Sequence, residues 1–339
     1  MANSPKNRVM RLEFVPDIDG CRLCHATTRQ REFWPERYLG IGQSLRRCGH
    51  CACLYLAPDL TPASLEDFYA HHYRQLFLTE IIGTDPEMFF KQRFESRIAE
   101  QRLHIVAPLL PPTGRLFDLG CGFGSFLHAA SQARPDVTLH ASEYDSAQRG
   151  ILCEDANVQW ITHFQAFPLA GYFDVVVAFH VLEHLPRPTA FAHWAAKVLK
   201  PGGHLVVEVP NAAGGWHTRK FVHPAHLSYF TTHTLRRTLQ SAGLEIISCG
   251  EHPLGAAFTG TLLVIAQLPL KGAEPQPISP ADPQEIAAID RHIESVRWTQ
   301  TDALKTHIKR AMAKIFGLEN TGAFQRWIEY RRLKRYWNP

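Results

Sequence analysis

A chain of 339 residues has room for a hydrophobic core and for two or three domains. A hydrophobic content of 45% with 20% charged residues is that of a soluble globular protein, and a net charge of +4 is too small to announce a nucleic-acid binder by itself. No uninterrupted apolar run reaches the roughly 18 residues of a membrane span, and the polar start MANSPKNRVM lacks the apolar centre of an export signal. The cytoplasm is the expected compartment, so the eight cysteines read as thiols or metal ligands rather than disulfides.

The first 60 residues contain two C-x-x-C pairs, Cys21 with Cys24 and Cys48 with Cys51, separated by strand-forming sequence. Two such knuckles supply four thiolates at the roughly 2.3 Å that tetrahedral zinc requires, and their spacing suits a zinc ribbon. His25, His50 and Cys53 stand beside the pairs and can each replace one ligand. A closed four-ligand site leaves no position for a reacting water, so this metal is expected to hold the fold. The competing reading, two redox thiol pairs, requires a strand-helix context of the thioredoxin kind that this segment lacks.

Residues 61–111 turn helical and read as a connector. Thr61 is an N-cap before Pro62, ahead of Leu65, Phe68 and Tyr69. Asp85 and Pro86 repeat the signal before Phe90, Phe94 and Ile98, and Pro108, Pro111 and Pro112 end the run. The connector is expected to pack on the next domain; a lid is the alternative.

From Arg115 strands and helices alternate through residue 270, the pattern of a parallel sheet covered on both faces. LFDLGCGFGSFL at 116–127 is a strand, a turn with Gly120, Gly122 and Gly124, and the start of an apolar helix. Glycine there allows positive φ and a close ligand, and the helix start favours an anionic ligand group. VTLHASEYD is a second strand ending at Glu143, an acid placed to accept both hydroxyls of a ribose. VQWIT is a short third strand, FDVVVAF a buried fourth opening into a turn from His180 to His184, and HLVVEVPN a fifth. A helix is expected over 191–199, stopped by Pro201, Gly202 and Gly203, and another over 234–242 with Thr232 as cap and Gly243 as stop. LEIISCG and TLLVIAQL close the region as a hairpin.

A dinucleotide fingerprint, G-x-G-x-x-G, fits the loop poorly: Ser125 holds the third glycine position and Gly124 comes one residue early. Taken as a series, LFDLGCGFGSFL, Glu143, FDVVVAFHVLEHL and LKPGGHLVVEVPN resemble the motifs of the class I S-adenosylmethionine-dependent methyltransferases over residues 112–268. That resemblance implies an α/β fold, a doubly wound, Rossmann-like sheet of seven strands, here with a small N-terminal zinc ribbon and a helical C-terminal extension. It implies that Asp118, Gly120, Cys121, Gly122 and Gly124 hold the methionine part of S-adenosylmethionine and that Glu143 holds its ribose. Thr162 and His180 fall where the family approaches the cofactor, although the acidic and apolar pair that many relatives use for adenine reads Thr162, His163, Phe164 here. The segment 221–243, with its H-L-x-x-F run from His226, is similar to bacterial methyltransferases that join a zinc-binding module to this domain, among them enzymes acting on sugars.

Methyl transfer needs an acceptor held close to the methyl carbon and, for an oxygen or nitrogen acceptor, a base. Among 19 histidines, His180, His184, His223 and His226 are expected at the ligand-binding edge of the sheet. His226 is the first choice as catalytic base and His180 the second, with Glu183 orienting the turn and Trp216 and Tyr229 as pocket or core aromatics. Residues 271–339 read as a linker, through 283, and a basic amphipathic helical tail. Leu304, Ile308, Ala311, Met312 and Ile315 lie opposite Lys305, Lys309, Arg310 and Lys314, ahead of RWIEYRRLKRYW. This tail can dock on the domain, lie on an anionic membrane surface or contact a polyanion. The expected activity is methyl transfer to a small-molecule acceptor such as a nucleotide-linked sugar or another glycan or natural-product intermediate. An RNA methyltransferase gripping RNA with the ribbon and tail, a non-catalytic cofactor binder and a dehydrogenase are the alternatives.

Overall fold

The computed structural model describes residues 13–15, 20–27, 29–33, 43–69, 73, 94–144, 157–214, 222, 225–254, 258–271 and 275–296. Trp216, His223, the helix start at Asp85 and the basic tail lie outside the described residues.

The central sheet has seven strands. In chain order they are β4 (Arg115–Leu119), β5 (Thr138–Ser142), β6 (Gln159–Trp160), β7 (Phe173–Phe179), β8 (Leu199–Pro210), β10 (Glu245–Glu251) and β11 (Thr261–Gln267). Across the sheet they run β10-β11-β8-β7-β4-β5-β6. The five from β8 to β6 are parallel, and β11 and β10 add antiparallel at one edge. β7 explains the layering: Val175, Val176, Val177 and Ala178 are all fully buried, alternately contributing to two separate cores. A β-branched run buried on both sides belongs in the middle of a covered parallel sheet.

One face is covered by α2 (Phe94–Val106) and α3 (Ser125–Ala133), through Ala99, Val106, Phe126, Leu127 and Ala130. The other is covered by α4 (Pro188–Val198) and α5 (Thr232–Gln240), through Phe191, Trp194, Val198, Leu235 and Leu239. α1 (Pro62–Asp67) starts as expected, with the Thr61 hydroxyl accepting from the Ser64 N–H.

Three expected boundaries move. α4 begins at Pro188 rather than 191, because proline at the first helical position needs no N–H partner. α5 is capped by Thr231 rather than Thr232: the Thr231 hydroxyl accepts from the Thr234 N–H, and the Thr234 hydroxyl accepts from the Thr231 N–H. The Pro-Gly-Gly stop after α4 does not delay the fifth strand, since β8 already begins at Leu199 and the Gly202 N–H donates to the Leu268 carbonyl.

A second sheet carries the cysteines. β1 (Arg31–Phe33), β2 (Ser44–Arg47) and β3 (Leu54–Ala57) form an antiparallel meander, and β9 (Ser228–Tyr229) adds beside β3. The N-terminal sheet thus extends past residue 60 by borrowing a strand from the segment after β8. α6 (Pro283–Ser295) packs Ile289 and Ile293 against Phe33, Leu45, Leu54 and Tyr229 of this sheet. Part of the segment read as linker and basic tail is therefore an ordered helix of the cysteine module. Among the described residues no helix is long and apolar enough to cross a membrane.

Candidate functional site

The ends of four parallel strands define one edge of the sheet. β4 runs into the glycine loop, β5 into Glu143, β6 into Thr162 and β7 into His180, so the sequence-expected cofactor residues meet there. Gly120, Gly122 and Gly124 have φ of 68°, 55° and 74°, a region costly for other residues. A Cβ on Gly120 would stand 2.4 Å from a Val181 methyl, so glycine there is a matter of space as well as φ. A Cβ on Gly122 would meet nothing within 4 Å, which leaves open room beside the loop. Gly124 caps α3. The Glu143 carboxylate accepts from the Gly122 N–H at 2.9 Å and from the Tyr144 N–H at 2.8 Å, which ties the acid to the loop. Cys121 is half-buried and Thr162 exposed at the bend after β6.

Behind the loop lies a buried charge network that sequence reading missed. Asp118 is buried, and burial pushes its carboxyl up to about 8 against the pull of the Arg102 guanidinium. Arg102 of α2 donates to Glu208 Oε2 through Nε at 2.9 Å and Nη2 at 2.6 Å, and lies 4.4 Å from the centre of the Phe179 ring. Glu208 has no exposed surface and its other oxygen faces His252 Nε2 at 3.2 Å. Burial raises its pKa, yet Arg102 and His252 outweigh that and hold it below the usual carboxylate range. The one available signal was a glutamate inside the apolar run HLVVEVP, since a charge in a buried strand requires a partner.

The histidine turn stands next to the loop. His180 has φ of 56°, donates its backbone N–H to the Glu208 carbonyl at 2.9 Å, and has Nδ1 3.3 Å from Glu183 Oε1. His184 Nδ1 lies 2.7 Å from the Ala225 carbonyl, which can only accept, so this nitrogen carries the proton and Nε2 is left as an acceptor. Burial pushes the His184 pKa down, so the ring stays neutral. The His226 ring is 5.0 Å from His184 and 5.9 Å from Tyr229. Donor atoms of Glu183, His184 and His226 all lie within 4.8 Å of one another.

Aromatic rings from the connector close this side. Tyr69 is edge-on to His184 at 5.9 Å, donates its hydroxyl to the Ala225 carbonyl, and stacks at 5.7 Å on Tyr144, the neighbour of Glu143. Tyr73 lies 5.2 Å from His184. The structure brings His180, Glu183, His184 and His226 together at the expected edge.

The cysteine knuckles converge elsewhere. Cys21 Sγ is 3.5 Å from Cys51 Sγ, Cys24 Sγ is 3.5 Å from Cys48 Sγ, and the four sulfurs lie within 4.8 Å of one another. Tetrahedral zinc with bonds of about 2.3 Å places its sulfurs about 3.8 Å apart, so the donor set fits that ion. Backbone N–H groups of Leu23 and His50 point at the Cys21 and Cys48 sulfurs, as thiolate acceptors favour. The thiols compete for protons: hydrogen bonds from Cys21, Cys24 and Cys51 push Cys48 down, and Cys51 is pushed up. A cation at the centre of four thiolates would offset their mutual repulsion. Two of the three spare ligands are otherwise engaged, the Cys53 thiol on the Leu54 carbonyl and His50 Nε2 3.3 Å from the Ile278 carbonyl.

The methyltransferase-domain family matches residues 89–249. The ubiquinone biosynthesis O-methyltransferase of Pectobacterium carotovorum is 26% identical over 166 residues, which are 41% of this chain and 69% of that protein. Its counterpart from Xanthomonas axonopodis is 29% identical over 174 residues, 43% of this chain and 69% of that protein. Among solved structures, the 1,6-didemethyltoxoflavin-N1-methyltransferase of Burkholderia thailandensis is 16% identical, covering 68% of this chain and 97% of its own, with a TM-score of 0.44. The matched residues 89–249 contain all of the loop-and-acid edge, so that edge lies within the part of the chain that is similar to methyltransferase domains.

Proposed function

We propose that the chain transfers a methyl group to a hydroxyl of a small-molecule acceptor bound between the glycine loop and the histidine turn. The single observation carrying this reading is the adjacency of Glu143, bonded to Gly122, and the Glu183, His184 and His226 cluster, bridged by the Tyr144, Tyr69 and His184 rings. S-adenosylmethionine, when bound, supplies the methyl group. Asp118, Gly120, Cys121, Gly122 and Gly124 would hold its methionine end, Glu143 its ribose, and Thr162 and His180 the remaining approach. The open space at Gly122 supports that assignment.

The chain's own residues do the rest. His226 takes the acceptor proton, with His180 as the second choice, because a neutral imidazole is a base near neutral pH. Glu183 is buried, and its Oε1 faces His180 and His184, so it orients these rings and compensates a charge gained by them. Tyr69, Tyr73 and His184 form an aromatic wall, which suits a flat phenolic acceptor better than a sugar. The relatives' names, O-methyltransferases of ubiquinone biosynthesis, support an oxygen acceptor. A nucleotide-linked sugar remains the second acceptor class, carried by the cysteine module beside the methyltransferase domain. The four cysteines hold structural zinc in this reading.

Two measurements test it. Radiolabelled S-adenosylmethionine offered with a panel of catechols, nucleotide sugars and RNA should label the catechols; label only in RNA would move the protein to the alternative class. Glu143→Gln should weaken S-adenosylmethionine binding about tenfold to a hundredfold, the value of a hydrogen bond to a charged group. Unchanged affinity by calorimetry removes the ribose assignment. For the metal, Cys48→Ser should lose the bound zinc and destabilise the sheet of β1 to β3, and elemental analysis finding no zinc in the wild-type protein rejects the ribbon.

A further inference from the structure

Arg22 sits between the ligands of the first knuckle, Cys21 and Cys24, and is buried. A buried arginine has to be matched at each of its donors. Its Nη2 and Nε donate to the Leu56 carbonyl at 2.9 and 3.3 Å, and Nη2 also pairs with Asp59. Nη1 donates to the Pro186 carbonyl at 3.4 Å. Leu56 belongs to β3, and Pro186 follows the His180 to His184 turn by two residues. One side chain thus bonds the cysteine knuckle, the ribbon sheet and the histidine turn.

The other half of the circuit runs through the backbone. The Leu56 N–H donates to the Leu227 carbonyl at 3.0 Å, and the Leu227 N–H donates to the Glu183 carbonyl at 2.8 Å. Leu54 and Tyr55 pair with Tyr229 and Ser228. The His184 ring and the Tyr69 hydroxyl both donate to the Ala225 carbonyl. His226 therefore lies just before β9, in a segment whose flanking groups are held from one side by the ribbon and from the other by the histidine turn. Four hydrogen-bonded links, Arg22 to Leu56, Leu56 to Leu227, Leu227 to Glu183 and Arg22 to Pro186, are closed into a circuit by the chain from Glu183 to Pro186, and Leu227 is the neighbour of His226.

We propose that Arg22 is a positioning residue for methyl transfer, coupling the four-cysteine site to the placement of His184 and His226. A filled cysteine site fixes both ends of the short Cys21 to Cys24 turn, and with them the backbone from which Arg22 extends. The guanidinium then sets the distance between Leu56 and Pro186, and through them the separation of β9 from the histidine turn. The ribbon is in this view part of the acceptor half of the site. The proposal rests on the reading that these histidines face the acceptor, but the ring of bonds can be tested without cofactor or acceptor.

Arg22→Lys in the full chain keeps the charge and the length needed to reach Asp59, and loses the planar fork that bonds two carbonyls. With cobalt in place of zinc, the visible spectrum of a tetrahedral thiolate site should be unchanged, showing that the knuckles still close. Hydrogen exchange of the peptide 225–231 should quicken about tenfold, the effect of losing charge-assisted hydrogen bonds, while 115–124 stays as protected as before. S-adenosylmethionine affinity should stay within about twofold. With the acceptor found by radiolabelling, kcat should fall while the acceptor KM changes less. Unchanged exchange at 225–231, equal quickening in 115–124, or faster exchange with an unaltered kcat each overturn the proposal. If the variant cannot be purified, the wild-type protein with and without zinc decides by the same exchange comparison: protection of 225–231 that survives chelation overturns the coupling. A protein that binds no S-adenosylmethionine would sink the functional reading instead, leaving the exchange result unaffected.

Discussion

Asp118 is the last residue but one of β4, with its carboxyl held at about 8 by burial, against the pull of Arg102. The folded protein keeps a proton there that the unfolded chain releases near an ordinary carboxylate pKa. The sign follows: this group's contribution to stability is fully present below about pH 4 and is lost as pH rises through about 8. Asp118→Asn removes the titration while keeping the shape. The variant should therefore gain on wild type between pH 4 and pH 8, by on the order of a few kcal/mol at the upper end. Paired melts across that range check it, and a gap that does not widen with pH defeats the assignment. The same variant should bind S-adenosylmethionine more weakly, so it trades function for stability as strained sites commonly do.

At the scale of elements, α5 depends on its cap. Thr231→Ala takes away one half of a buried reciprocal pair and should cost about 1 to 2 kcal/mol; a denaturant midpoint that does not move would show that the cap is idle. Why some elements are legible in sequence and others are not follows from where their causes lie. β7 is legible because burial on both faces writes the apolar run from Val175 to Phe179, and β4 because the glycines after it mark its end. α1 is legible because Thr61 and Pro62 mark its start, and the same cap-then-proline signal stands at Asp282 and Pro283, where the Asp282 carboxylate accepts from the Gln284 N–H. That second signal is overshadowed by the proline-rich linker before it and the basic run after it, so the sequence does not separate α6 from the helical tail. β9 has only two residues, and its pairing with β3 joins positions more than 170 apart in sequence, beyond the reach of any periodicity. The site divides in the same way. The glycines, Glu143 and the knuckles announce themselves by local spacing, whereas Arg102 with Glu208, and Arg22 with Pro186, exist only after distant segments meet.

Among the described residues, two sheets are held together by reciprocal loans. The methyltransferase domain lends β9 to the cysteine sheet, and α6, after the last strand of the domain, returns to pack on that sheet. α6 is fastened by charge as well as by Ile289 and Ile293. Asp290 accepts from Arg47 Nε at 2.7 Å and Nη2 at 3.0 Å and from Arg31 Nη1 at 2.6 Å, and Arg31 also pairs with Glu294. At its other end Glu285 takes both nitrogens of Arg237 from α5, at 2.8 and 2.6 Å, and Arg237 also reaches the Cys51 carbonyl of the second knuckle. The pairs differ in weight. Arg31 is exposed, so its bonds are screened and worth at most about 1 kcal/mol. The Arg47 side chain is only 8% exposed and Asp290 13%, so removing the acid strands a buried cation. Asp290→Ala should accordingly cost about 3 kcal/mol, and adding Arg47→Met should recover most of that loss, because an apolar side chain of similar length needs no partner. A double-mutant cycle on denaturant unfolding measures this directly. If the single variant loses under about 1 kcal/mol, the Arg47–Asp290 pair behaves as an exposed one and the buried-pair assignment fails. If the double variant recovers nothing, the helix is held by its isoleucines and the charge pair contributes only alignment.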